Sequence, residues 1–228
     1  MKQSIPLFAA LLLSLFVTAC STTRYSSTDL ELEAQVHREI AILPPQISYA
    51  GPLPDHLTQA EIRAIDQGES RMYHRALYDA LLRKSNSRVK VKVQPVERTL
   101  ARLHDQQISL HESWRMDPAE LAEALGVDAV VKMHVEEVRY MSDAMAFGLN
   151  VGQSVVRQAY RHHPYGAPWP AYAPVRSADL RISCAIFSAQ QGDLIWQMAV
   201  DRSATWHNPA EQVVATVSRK IARNFPYR

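Results

Sequence analysis

Two runs near the C-terminus alternate apolar and other residues almost without fault, with a four-residue break between them. They are "ADLRISCAIFSA" and "LIWQMAVDRSAT", joined by "QQGD". Side chains of a strand point alternately to its two faces, so Leu180, Ile182, Cys184 and Ile186 share one side of the first arm. Leu194, Trp196, Met198 and Val200 do the same in the second. A glycine-containing connection of this length makes the pair a β-hairpin. A hairpin with one apolar face must bury it under something, so the remaining chain has to supply a covering layer.

That layer is legible upstream and downstream. Thr58-Gln59-Ala60-Glu61 is a capping box, and Ile62, Ile65, Met72, Ala76, Leu77, Ala80 and Leu81 follow at helical spacing. "PVERTLARLH" reads as a second helix, with Val96, Leu100 and Leu103 on one side. Asp117-Pro118-Ala119-Glu120 opens a third, with Asp as cap and Pro in the first turn, and Gly126 ends it. Asn208-Pro209-Ala210-Glu211 repeats that signal before Val213, Val214, Val217, Ile221 and Phe225. Between the helices lie the run Ile40 to Leu43, stopped by Pro44-Pro45, the alternating "SRVKVKVQP", and the long strand "VDAVVKMHVEEVRYM". "QISYAGPLPDHL" reads as a loop. The expected fold is α/β in the broad sense, an α+β mixed sheet in the order β-α-β-α-α-β-β-β-α, one domain with helices packed on the sheet.

The N-terminus carries different information. Lys2 precedes an apolar run from Ile5 to Val17, too short for the ~20 residues that cross a bilayer as a helix and suited to a signal peptide. Val17-Thr18-Ala19-Cys20 ends it, a junction that looks like the lipobox of bacterial lipoproteins. There the thiol receives a diacylglycerol and the chain is cut before the cysteine. Residues 1–19 then form the signal peptide and 20–37 a lipidated N-terminus with a flexible tether, its r.m.s. reach roughly 20–25 Å. Residues 38–228 form the domain. Two or more acyl chains, such as palmitate, give stable anchoring. Ser21 in place of Asp implies, by resemblance to that family, sorting to the outer membrane, with the domain facing the periplasm.

The chain has two cysteines. With Cys20 lipidated, Cys184 has no partner for an intrachain disulfide, and its alternating context marks a small core residue. The net charge of +2 and the scattered basic residues give no reason to expect nucleic acid.

Motifs for catalysis are missing from the sequence. "GLNVGQS" lacks the lysine of a phosphate loop. His134 is expected on the polar face of its strand. Glu136 and Glu137, as strand neighbours, diverge. His162 and His163 form a metal site only by converging with His207, which no spacing requires. The expectation is no enzyme, no cofactor, no metal and no small-molecule substrate.

Residues 142–176 are the long insertion. Met145, Phe147, Leu149 and Val151 alternate with small or polar residues. Tyr160, Tyr165, Trp169 and Tyr172 then sit among four prolines. Three readings stand: an extension packed on its own rings, a surface for a protein partner through the four aromatic residues, or an oligomer or membrane contact through Phe147, Leu149 and Val151.

The lipobox, "ILPP", "ALYDALLRKS", "RVKVKV" with "VERTLARL", "DPAELAEALGVDAVVKMHVEEV" and "GDLIWQMAVD" together resemble the envelope lipoproteins related to LpoB and CsgG, with a fold like the N-terminal domain of TolB. The resemblance covers about residues 38–145 and 176–225 and rests on scaffold motifs. It implies a non-enzymatic adaptor or assembly factor in envelope biogenesis or secretion that binds a protein partner. Its alternative is a ring-forming pore or secretion-channel subunit of the CsgG type.

Overall fold

A computed structural model of the chain describes residues 22–50, 58–85, 90–139, 176–205 and 208–227. The expected hairpin is its centre. Strands β6 (Arg176–Ser188) and β7 (Leu194–Thr205) pair antiparallel, with Cys184 opposite Met198 and Ile182 opposite Val200. Gly192 makes the turn at φ +74°. Strand β5 (Ala129–Arg139) pairs antiparallel with β6 along its whole length, from Ala129 opposite Ser188 to Arg139 opposite Ala178.

The other edge of β5 is shared by two parallel strands. β2 (Glu39–Ile42) lies beside Ala129 to Val131, and β3 (Gln46–Ala50) lies beside His134 to Val138. β4 (Lys92–Val93) pairs parallel with β2, and β1 (Thr22–Ser26) closes the far edge, antiparallel to β7. Among the described residues the sheet therefore has seven strands in the order β1-β7-β6-β5-β2-β4, with β3 beside β5. It is mixed and open, and the α+β class expected of the sequence is what forms.

Among the described residues six helices cover it: α1 (Leu30–Val36), α2 (Gln59–Ser85), α3 (Val96–Asp105), α4 (Leu110–Arg115), α5 (Pro118–Leu125) and α6 (Ala210–Asn224). Strand alternation splits the core in two. Ile40, Ile42, Val131, Met133, Ile182 and Cys184 face α2 and α6, where Tyr73, Leu77, Leu81, Val213, Val217 and Ile221 meet them. Ala41, Leu43 and Val130 face the other way, onto Leu103, Leu121, Ala122 and Leu125 of α3 and α5. This is why residues 40–43 read as an unbroken apolar run: both faces of β2 are covered.

Local signals account for α5. The Asp117 carboxylate accepts from the backbone N–H of Ala119 at 2.8 Å and of Glu120 at 3.4 Å, Pro118 opens the first turn, and Gly126 ends the helix at φ +62°. A left-handed residue there suits glycine.

Four expectations need correction. The tether does not hold from Thr22 onward: residues 22–26 are hydrogen-bonded to β7 and 30–36 are helical. A polar strand is stable at an edge because backbone pairing holds it without an apolar face. The loop after Pro45 begins with β3, whose alternation is too short to read. On α2 the buried face is Ser70, Tyr73, His74, Leu77, Ala80 and Leu81, while Met72 is exposed. Helix α6 has Pro209 as N-cap with no side-chain cap, so Asn208 does not act as Asp117 does. Helix α4, capped by Ser109 Oγ on Glu112 N–H at 3.1 Å, has no sequence signal strong enough to be expected.

Candidate functional site

The residues singled out in the sequence for anchoring and binding all lie outside the described residues. These are Cys20, Phe147, Leu149, Val151, Tyr160, Tyr165, Trp169 and Tyr172, together with His162, His163 and His207. The described chain does fix where their segments begin and end. β1 runs antiparallel to β7, so its first residue, Thr22 opposite Val200, points toward the Thr205 end of the sheet. Arg139 is opposite Ala178, and Arg176 is opposite Thr205. Residues 140–175 therefore leave and rejoin the sheet at the end toward which the N-terminus of β1 points.

β1 and α1 form a strap along that edge. Lys220 Nζ donates to Thr22 Oγ1 at 2.7 Å, and Ser27 N–H donates to the Ile195 carbonyl at 2.9 Å. Between strap and body is an open groove of about 350 Å³, lined by Arg24, Leu30, Glu31, Trp196, Asn224 and Phe225 among others. The strap ends in a buried polar knot. His37, 5% exposed, has Nδ1 2.8 Å from the Tyr227 hydroxyl and Nε2 3.5 Å from Ser188 Oγ. Glu33 Oε2 is 3.8 Å from Nε2 and makes no hydrogen bond among the described residues. Burial holds the His37 imidazole below its ordinary pKa, against the opposing pull of the Glu33 and Asp128 carboxylates. Burial first, and those two charges next, push the Tyr227 hydroxyl up. Asp128 itself accepts from Arg38 and Glu39 N–H at 2.7 and 2.9 Å and fixes the start of β2.

Two further titratable groups are buried. His74 sits at the α2–β2 contact, where burial holds it down at about 4 against a hydrogen bond to the Ile42 backbone. Its Nε2 has no partner among the described residues. Lys132, 8% exposed, reaches the Trp114 and Met116 carbonyls at 3.4 and 3.5 Å, between the Trp114 and Phe187 rings. Burial lowers its pKa, partly offset by Asp117. Sequence reading missed these groups because each interrupts an apolar pattern that otherwise reads cleanly.

The knot, His74 and Lys132 are separate, each enclosed by core side chains, and they do not converge on one cleft. His134 Nε2 is 3.1 Å from Ser48 Oγ, half-buried rather than solvated. Glu136 and Glu137 diverge as strand neighbours, with Glu137 buried. Cys184 is in the core, as its context suggests, and burial pushes its thiol up to about 12. No group of three or more metal-binding side chains occurs among the described residues, and no described helix is long and apolar enough to cross a membrane.

These residues define an α+β domain on an open mixed sheet, with its N-terminal strand built into one edge. No family model and no curated protein matches the chain. Among solved structures it is similar to the PelC dodecamer from Paraburkholderia phytofirmans, at 11% identity over 91% of this chain and 98% of that one, with TM-score 0.44. It is also similar to lipoprotein GNA1162 from Neisseria meningitidis (12%, 82% and 94%, TM-score 0.42). A third is the LpoB C-terminal domain from Salmonella enterica (11%, 88% and 93%, TM-score 0.32). At these identities and scores the likenesses say nothing of what this chain binds or does.

Proposed function

We propose that the chain is an outer-membrane lipoprotein, anchored through the Cys20 thiol, that acts without catalysis by holding a protein partner close to the membrane in envelope biogenesis or secretion. The observation that carries this reading is the position of β1. Thr22, two residues after Cys20, is already paired with Val200. At about 3.3–3.6 Å per residue, the cysteine that the lipobox marks stays within about 7 Å of the folded sheet. The segment with Tyr160, Tyr165, Trp169 and Tyr172 starts and finishes at the same end. Stiff amphipathic rings near an anchor suit capture of another envelope protein.

The test has two parts. Mass spectrometry of the mature chain should find a diacylglyceryl-modified Cys20. Photo-cross-linking from Trp169 and Tyr172 in intact cells should give one dominant heterologous product. Cross-links only between copies of this chain, with light scattering showing a large ring, would replace the adaptor with the channel-subunit reading.

A further inference from the structure

The side of the domain next to the anchor is basic. Helix α6 buries Val213, Val214, Val217 and Ile221, so its 3.6-residue period turns Thr216, Arg219 and Arg223 outward. Arg219 donates to Thr216 Oγ1 at 3.1 Å. Lys220, at the border of the buried face, reaches Thr22 on β1. Arg24, exposed on the same strand, lines the groove beside Asn224 of α6. Asp201 pairs with Arg181 at 3.6 Å on the opposite sheet face and Glu211 opens α6 at its other end. Glu31 lines the same groove as Arg24, so the basic excess lies mainly on the outer face of α6.

We propose that this side, β1 with the outer face of α6, rests on the anionic headgroups of the bilayer that holds Cys20, with Arg24, Arg219 and Lys220 as contacts. The inference rests on the anchor reading above. A basic helix face alone is commonly just solvated. Here it adjoins the strand that begins two residues, about 7 Å of chain, from the lipid attachment point, so it is held close to charged lipid, on the scale of the ~8–10 Å over which salt leaves such attraction effective. Basic side chains beside an acyl anchor add a second, electrostatic attachment. They also choose which side of the domain lies down and which looks outward.

The full lipidated chain, spin-labelled through Thr216→Cys or, separately, Gln106→Cys, tests this. Thr216 is exposed on the outer face of α6, and Gln106 is exposed beyond α3 on the opposite sheet face. Cys184 is buried and does not label. Each labelled chain is placed in nanodiscs of phosphatidylethanolamine with phosphatidylglycerol, doped with a nickel-chelating headgroup lipid. The label at 216 should relax several-fold faster than the label at 106. That contrast should vanish in phosphatidylcholine discs, in molar salt, or with Arg24→Glu and Arg219→Glu together. Equal relaxation at the two sites, or a contrast indifferent to lipid charge, overturns the proposal while leaving the anchor intact. A mature mass without diacylglyceryl overturns the anchor and this inference with it.

Discussion

The imidazole of His37 and the hydroxyl of Tyr227 lie 2.8 Å apart, although 190 residues separate them along the chain. One ends the N-terminal strap and the other lies just beyond the last helix, so a single buried hydrogen bond ties the two ends of the domain together. Tyr227→Phe removes the hydroxyl and leaves His37 Nδ1 without its partner in a dry site. A loss of about 1–3 kcal/mol is expected, read as a lower urea midpoint. An unchanged midpoint would mean the bond contributes nothing net.

Acid should weaken the fold through two histidines. His74 is held at about 4 and His37 is also lowered, so both bind fewer protons folded than unfolded. Stability then rises with pH across the interval where the unfolded imidazole, near 6.5, is charged and the folded one is not. For His74 the loss is about 2 kcal/mol at pH 5 and saturates near pH 4. His74→Gln should flatten the dependence of the unfolding free energy between pH 4 and 6.5. A wild-type profile already flat there would refute the assignment.

Lys132 makes two long hydrogen bonds to carbonyls and no ion pair within 4.0 Å among the described residues. Replacing a buried charge with an apolar side chain of similar shape is often neutral or stabilising. Lys132→Met should therefore raise the urea midpoint, by about 1 kcal/mol, without changing the slope. A loss above about 2 kcal/mol would show that the ammonium is needed where it sits.

Gly192 should tolerate no side chain. Its φ is +74°, and a Cβ there would come 3.2 Å from both carboxylate oxygens of Asp117. One of them, Oδ1, caps α5, so Gly192→Ala combines backbone strain with a displaced cap, about 1–3 kcal/mol together. Gly68→Ala, in the long helix with nothing within 4 Å of the new methyl, is the control and should be neutral or stabilising. Equal effects of the two would contradict this account.

Cys184 should stay unreactive to a thiol reagent in the native state and react only in denaturant. Its side chain is fully buried and its thiol pushed up to about 12, so thiolate is scarce and access is closed. Rapid native modification would place it outside the core.

The sequence spoke clearly where one pattern decided the structure. The hairpin arms and the inner face of α6 were legible from apolar periodicity, and the Asp117–Gly126 helix because periodicity and caps agreed. It spoke poorly where backbone pairing alone decides. Thr22 to Ser26 has no apolar alternation and looks like a linker, yet β7 offers it an open edge. The helix Leu30–Val36 buries no residue fully, so its sequence has no stripe to find. Tyr73 and His74 displaced Met72 from the buried face of α2 because amphipathic side chains fill the contact with β2 better than hydropathy suggests. The basic strip was invisible as a charge run: Arg24 and Lys220 come to one edge of the domain only through the pairing of β1 with β7 and the contact of Lys220 with Thr22.

The pairing of β1 with β7 sets an order of events. Thr22 and Lys220 touch although they are 198 positions apart in sequence, and contacts so distant in sequence form late. β1 has no edge to pair with until β7 has been made. The described sheet is therefore completed by the first of its strands in the chain, which stays unpaired until the last of them is in place.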